Sequence, residues 1–448
     1  MLKILMKLMK SQLKINYMKR NVVYVLLLLS LNAGAQVHVT MADAIDSALM
    51  RNFDIRIAKI STRINTVNNT YGVAGGLPSV NASASDNSSL NNLKQKTSSG
   101  IDITKNNVNS NAWSAGVTAN MVLFNGFRII ATKGRLNMLQ KQSELLFNQQ
   151  VQNTMADVMA KYYDIIRQQT YLTIIQSSLD VSAKKLDIIM ERAKVGMANE
   201  ADILQAQMDL NLEIETLKSQ QLIIEQDKTD LLQVMGVRKF IPIAIKDTIV
   251  VDGNINKDSI ISYLENNQQY LSSYQQVRIN EQIVKEMRAQ RYPTIRLNTG
   301  YNFNYSSSSA GFNLFTQTYG PSVGATLQVP IFNGNIYKTQ QDVAVFNVEN
   351  ARLQKESLLS QLTAQAIKTY QSYESSMQQM NSQKTSWEDA AKLVKIVVQR
   401  FSLNEATILD LKAAQTSFET AGYTFVNLQY SAKIAEIELK RLDYQLGN

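Results

Sequence analysis

The sequence predicts a mainly α-helical fold carrying a minority of membrane-type β-strands, laid out as an internal two-fold repeat. Three observations carry this. First, Leu123-Phe124-Asn125-Gly126 returns as Ile331-Phe332-Asn333-Gly334, 208 positions later, and the same shift superposes Arg192-x-x-x-Gly196 to Asp202-Ile203-x-x-Ala206-Gln207 on Arg400-x-x-x-Asn404 to Asp410-Leu411-x-x-Ala414-Gln415. Two separated motifs sharing one offset mark a duplication. Second, each Phe-Asn-Gly is followed by a proline-free stretch of unusual length, about 128–194 and 337–401. Third, four segments alternate apolar and polar residues with the period of a strand, each about 10–12 residues long.

Taken in order, residues 1–35 read as a secretory signal. They hold six basic groups and no acid, with Lys19-Arg20 before the mainly apolar run Val22–Leu31 and Ala33-Gly34-Ala35 as a small-x-small cleavage site. Such a run is too short to cross a bilayer as a helix, which needs about 20 residues. Met18 is an alternative start to Met1, because residues 1–17 would make a long charged leader. The first repeat is expected over 36–237. A helix from about Thr40 to Ala74 is capped by Thr40 and Asp43 and ended by Gly75-Gly76 and Pro78. Strands are expected over 79–88 and 112–123, separated by a long polar loop, 89–111. On the second strand Trp113, Ala115, Val117, Ala119, Met121 and Leu123 face one way, and Ser114, Gly116, Thr118 and Asn120 the other. A long helix and a return helix, about 198–234, meet at a tip near 196. Residues 238–258 are expected to be a linker with a small β element. The second repeat, 259–448, has a helix, strands 294–305 and 321–332, and a second helix hairpin with its tip near 404. Pro78 matches Pro293, and Leu49-x-x-Asn52 matches Leu264-x-x-Asn267, both offset by 215, so the second copy is shorter between its proline and its Phe-Asn-Gly.

The formal charge of +9 falls to +3 without the signal segment, which removes a nucleic-acid reading based on basicity. The chain has no cysteine, which excludes disulfides, thiolate metal sites and a lipid-modified cysteine. No phosphate loop, zinc-type His-Glu pair or dinucleotide turn appears. The single histidine, His38, stands alone, so nothing supports an enzyme, a cofactor or a metal site. Strands of this length, with one apolar face, suit the crossing of an outer membrane. Four strands cannot close a barrel, and open edges are not tolerated in lipid. Several chains must therefore combine if the membrane reading holds.

The order helix, Gly-x-Pro, strand, loop, strand, Phe-x-Gly, long helix, Gly turn, Asp-Ile/Leu-x-x-Ala-Gln, helix, Met-Gly, nearly all of it twice, resembles the TolC-like outer-membrane efflux proteins. The matching residues are Leu77-Pro78-Ser79, Leu123–Gly126, Gly196–Gln207, Met235-Gly236, Tyr292-Pro293-Thr294, Ile331–Gly334 and Asn404–Gln415. The resemblance implies a homotrimer in which each chain gives four strands to a shared 12-stranded outer-membrane barrel and its helices to a long periplasmic α-barrel. It implies an exit duct for a tripartite efflux pump or type I secretion system, embedded in outer-membrane lipid. The expected partners are a periplasmic adaptor and an inner-membrane pump of RND or ABC type. By the same resemblance the helix tips hold a gate (Asp410, Asp202, Phe401, Asn404, Gly196) and dock the adaptor (Arg192, Val195, Met197, Ala198, Arg400, Leu403, Ala406). Pro78, Phe124, Gly126, Pro293, Phe332 and Gly334 form the junction between barrel and helices. Asp410 matches an inward acidic position of the family, and Asp202 is its counterpart in the first repeat; each also suits a helix N-terminus, where the macrodipole favours an acid. Ala413 stands where some members carry a second acid, and Phe401 and Ala406 stand where some carry a Tyr–Arg latch. The competing expectations are a trimeric coiled-coil surface or adhesion protein and a periplasmic scaffold, neither of them a channel.

Overall fold

The computed structural model describes residues 37–446. The signal segment and the choice between Met1 and Met18 lie outside the described residues. Contacts divide the chain into two units.

One unit takes the chain up to Phe53, Asn153–Ile255 and Thr369–Leu439. Its first element is β1 (Val37–His38), which pairs in parallel with β2 (Ile243–Ala244), the small β element expected between the repeats. Helix α1 (Met41–Arg51) opens on a capping box. The Thr40 hydroxyl accepts from the Asp43 amide at 3.2 Å, and the Asp43 carboxylate accepts from the Thr40 amide at 3.1 Å. The helix expected to run unbroken to Ala74 stops at Asn52, whose backbone leaves the helical region (φ −55°, ψ 134°). The Asn52 side chain donates to the Val234 carbonyl at 2.8 Å, satisfying one of the orphan acceptors at a helix end. The core of this unit gathers Ala44, Ala48, Val158, Tyr162, Leu231 and Ile243. Tyr162 is fully buried, and its hydroxyl donates to the Val39 carbonyl at 3.2 Å.

The helix hairpins follow the expected bounds within a few residues. In the first, α2 (Arg128–Lys194) returns as α3 (Glu200–Val234); in the second, α4 (Ile336–Ser402) returns as α5 (Ile408–Leu442). Every start and end in the second hairpin lies 208 positions after its counterpart, so the duplication holds to the residue. The helices α2 and α4 have 67 residues each, and each contributes to both units.

The other unit takes Asp54–Gln152, Asn256–Lys368 and the chain from Lys440. It holds α6 (Phe53–Asn68) apart from its first residue, and the break at Asn52 has its repeat equivalent here. After α7 (Lys257–Tyr263) and a single 3-10 turn, Asn267 leaves the helical region with φ −60° and ψ 135°, and α8 (Gln268–Ala289) begins. Its side chain donates at 3.0 Å to the carbonyl of Leu442, the residue equivalent to Val234.

The sheet of this unit has four antiparallel strands in the order β3 (Ser79–Lys96), β4 (Asp102–Asn125), β5 (Thr294–Ser308) and β6 (Phe315–Gln328). Three expectations need correction. Residues 89–111 are not a loop: the first hairpin continues through them, with Ser89 opposite Ser110 and Lys96 opposite Asp102. They are mostly exposed, with Val108 the buried exception, so no apolar alternation reveals them, and backbone pairing defines the strands. The last strand begins at Phe315 and ends at Gln328, not at 332; Pro330 lacks the amide that a ladder requires. The β4–β5 register shifts between Val122 and Phe124, so the alternation predicted through Leu123 ends at Met121.

Candidate functional site

Both tips are built by the same local device. In the first, Gly196 adopts a left-handed conformation (φ +77°) and the Met197 amide donates to the Arg192 carbonyl at 2.8 Å. In the second, Asn404 takes the same conformation (φ +65°) and the Glu405 amide donates to the Arg400 carbonyl at 2.8 Å. Asparagine substitutes for glycine because its short polar side chain tolerates this region. Each return helix then starts on a capping box. Asn199 and Asp202 exchange bonds of 3.1 and 2.9 Å. Thr407 and Asp410 do likewise: the Asp410 carboxylate accepts from the Thr407 amide at 2.8 Å, and the Asp410 amide donates to the Thr407 hydroxyl at 3.1 Å. Bonds from the Thr407 amide and hydroxyl, with Arg400 nearby, hold the exposed Asp410 carboxyl below the usual carboxylate range. Both acidic gate candidates, Asp202 and Asp410, are thus the third helical residue of their helix.

Other tip residues divide by burial. Phe401 is fully buried with Ile189, Val397 and Leu411, and Ala198 and Ala406 pack on that cluster. The Arg192 guanidinium stacks on the Phe401 ring at 4.4 Å and donates to the Phe401 carbonyl. Arg400 donates to the Glu405 carbonyl at 3.0 Å. Arg192, Arg400, Ala198 and Ala406 therefore hold the tip together, whereas Val195, Met197 and Leu403 stand 62–70% exposed at its end. Leu409, 76% exposed, belongs with them and escaped the sequence reading. Nothing in its neighbourhood pattern separates an exposed leucine from a core one.

At the foot of the sheet, each Phe-Asn-Gly is a turn with two successive left-handed residues. These are Gly126 and Phe127 (φ +68° and +66°) in one copy, and Gly334 and Asn335 (φ +65° and +62°) in the other. A Cβ on Gly126 would meet the Ala289 carbonyl oxygen at 2.6 Å, so both conformation and space demand glycine. Pro78 and Pro293 immediately precede β3 and β5. Phe124 meets the Phe127 ring edge-on at 5.4 Å, and Phe332 is 81% exposed.

Pairing brings the four apolar strand faces onto one side. Ala82, Val117, Tyr301 and Pro321 lie in one row across the sheet, and Trp113 follows two rows on beside Tyr305. Asn81, Thr118, Gly300 and Ser322 line the opposite side. Towards the hairpin ends the apolar face turns aromatic: Trp113 packs edge-on with Phe303 at 5.2 Å, and Tyr305 with Phe315 at 5.3 Å. An apolar band bordered by aromatic rings is the surface that lipid selects. Among the described residues no helix is long and apolar enough to cross a membrane. Among the described residues, the sheet's outer strands, β3 and β6, have no neighbour on their far sides. His38 stands in β1, paired with Ala244.

The outer membrane efflux protein family matches this chain over residues 44–237 and 260–443. Outer membrane protein TolC of Escherichia coli (strain K12) is 20% identical over 351 residues, covering 75% of this chain and 70% of the relative. Among solved structures, CusC superposes with a TM-score of 0.73 at 17% identity, covering 92% of this chain and 94% of its own. VceC of Vibrio cholerae superposes with a TM-score of 0.72 at 16% identity, covering 90% and 95%.

Proposed function

This chain belongs to the outer membrane efflux protein family, and on that premise we propose that three copies form the exit duct of a tripartite efflux pump or type I secretion system. As a member it is an outer-membrane efflux channel, and its family is one of ducts. The observation that carries the finer reading is the unclosed sheet: one continuous apolar face, one polar face and two unpaired edges. Lipid does not tolerate unpaired backbone groups, so the edges must be paired by further copies. Three copies of four strands give a 12-stranded barrel, even-numbered and within the range of outer-membrane barrels.

The tips are the periplasmic end of the duct. Exposed Val195, Met197, Leu403 and Leu409 form the apolar docking surface for a periplasmic adaptor, which links the duct to a pump in the inner membrane. Asp410 supplies a ring of three carboxylates at the gate, which favours cations as acidic rings do. Asp202 serves the cap of α3, and Phe401 with Arg192 holds the tip by packing where a Tyr–Arg latch is absent.

Native mass spectrometry of the protein extracted from outer membranes, with single-channel recording of the same sample, tests the assembly. Three chain masses and a stepwise conductance are expected. A conductance-free monomer from the same fraction would contradict the duct and favour a scaffold.

A further inference from the structure

Behind the tip, α2, α3 and α5 enclose a small polar cavity whose hydrogen bonds do not balance. The buried Gln415 side chain from α5 points its amide nitrogen at four acceptors: Glu213 of α3 at 3.1 Å, the Ser182 hydroxyl at 3.2 Å, and the Ser178 carbonyl and Glu419 carboxylate at 3.3 Å. An amide has two protons to give. Two carboxylates therefore converge on one overcommitted donor, and the fully buried Ser178 hydroxyl beside it has no partner.

The neighbouring cations are already engaged. Lys185 of α2, 2% exposed, is paired with Asp209 of α3, and Lys412 of α5 reaches the same Asp209 at 3.8 Å. The groups facing Glu213 are thus Lys185 from α2, Asp209 from its own helix and Glu419 from α5, with Lys412 beyond Asp209 and the Tyr423 hydroxyl charge-coupled to both glutamates. Burial, and then the Glu419 charge, push the Glu213 carboxyl up to about 7, against the weaker pull of Lys185.

We infer that Glu213, Glu419 and Gln415 form a proton-held clasp between the first helix hairpin and α5, in which one proton on the carboxyl pair keeps the hairpins packed and its loss loosens them. With the proton present, one carboxyl becomes a donor and the pair no longer repels. Once it dissociates, two anions and a serine hydroxyl compete for a single amide. The direction follows: a carboxyl whose folded value is raised contributes stability that is full below its ordinary value and is lost as pH rises through the raised one. The packed arrangement is favoured near pH 6 and weakened near pH 8. On the duct reading, the clasp makes the tip easier to open in alkaline than in acidic surroundings.

Hydrogen exchange of the full-length protein in detergent, read by mass spectrometry at pH 6 and pH 8 and corrected for the intrinsic pH dependence, tests this. Local opening of segments 205–220 and 411–425 is expected to rise roughly tenfold from pH 6 to 8 in the wild type, the change that titration of a single carboxyl with a value near 7 produces. Glu213→Gln should remove most of that rise and Glu419→Gln should reduce it, both leaving segment 155–165 unchanged. Equal protection at both pH values, or an undiminished rise in both variants, would overturn the clasp. Exchange reads the clasp whether or not the chain conducts, so its failure leaves the duct reading standing.

Discussion

Asp410 is committed twice, as the acid of a capping box and as the proposed carboxylate of the gate. Its bonds to the Thr407 amide and hydroxyl keep it ionised well below neutral pH, so a ring of three remains charged at the pH of any ordinary recording. Asp410→Ala is expected to raise ion flux and weaken cation selectivity, measured as single-channel conductance and reversal potential in a salt gradient; unchanged values would sink the gate assignment. Gly236 answers to a different constraint. It is left-handed (φ +70°), and a Cβ there would lie 2.6 Å from the Arg51 carbonyl. Gly236→Ala should lower stability by about 1–3 kcal/mol from backbone strain alone, read as a drop in the thermal unfolding midpoint. Asn52 and Asn267 show how a single residue breaks a helix and repairs the damage, each capping the end of a return helix. Asn52→Ala removes the donor to the half-buried Val234 carbonyl and should cost about 1 kcal/mol in a denaturant titration.

At the scale of elements, the hairpin helices were legible because burial imposes a period and proline-free length leaves few alternatives. Their repeat offset fixed them further, down to matching ends in both copies. The glycines of both Phe-Asn-Gly turns and the Gly196 and Asn404 turns were legible because left-handed conformations select few residue types. The outer half of the first β-hairpin was not. Residues 89–111 form a hairpin end paired through the backbone and mostly wet, Val108 excepted, so their sequence carries no alternation to read. The break in the first helix was hidden too, since Asn52 is defined by a partner 182 positions away. Glu213 and Glu419 look like solvated helix faces until the packing of three helices brings them to one amide. The tip depends on packing in the same way. Phe401 is fully buried beneath the Arg192 guanidinium, and Phe401→Ala should cost about 3–5 kcal/mol of local stability, visible as lost exchange protection on both sides of Asn404.

At the scale of the molecule, one chain leaves surfaces that only other chains can cover. The sheet has two bare edges, and α6 carries Ile57, Ile60, Ile64 and Val67 at alternating spacings of three and four, each more than half exposed. That spacing is the seam of a coiled coil, whose apolar positions pack on a facing helix. Ile60→Glu with Ile64→Glu should therefore shift the detergent-extracted protein from trimer to monomer in light scattering. The tips, by contrast, present a small apolar surface of Val195, Met197, Leu403 and Leu409 suited to a heterologous partner. Photo-cross-linking in living cells from Met197 and Leu403, with mass spectrometry of what is captured, tests the exit duct most directly. An exit duct should capture a periplasmic adaptor, belonging to a proton-driven pump if small molecules are exported, or to an ATP-driven exporter if proteins or peptides are. Capture of nothing periplasmic beyond further copies of the same chain would contradict it.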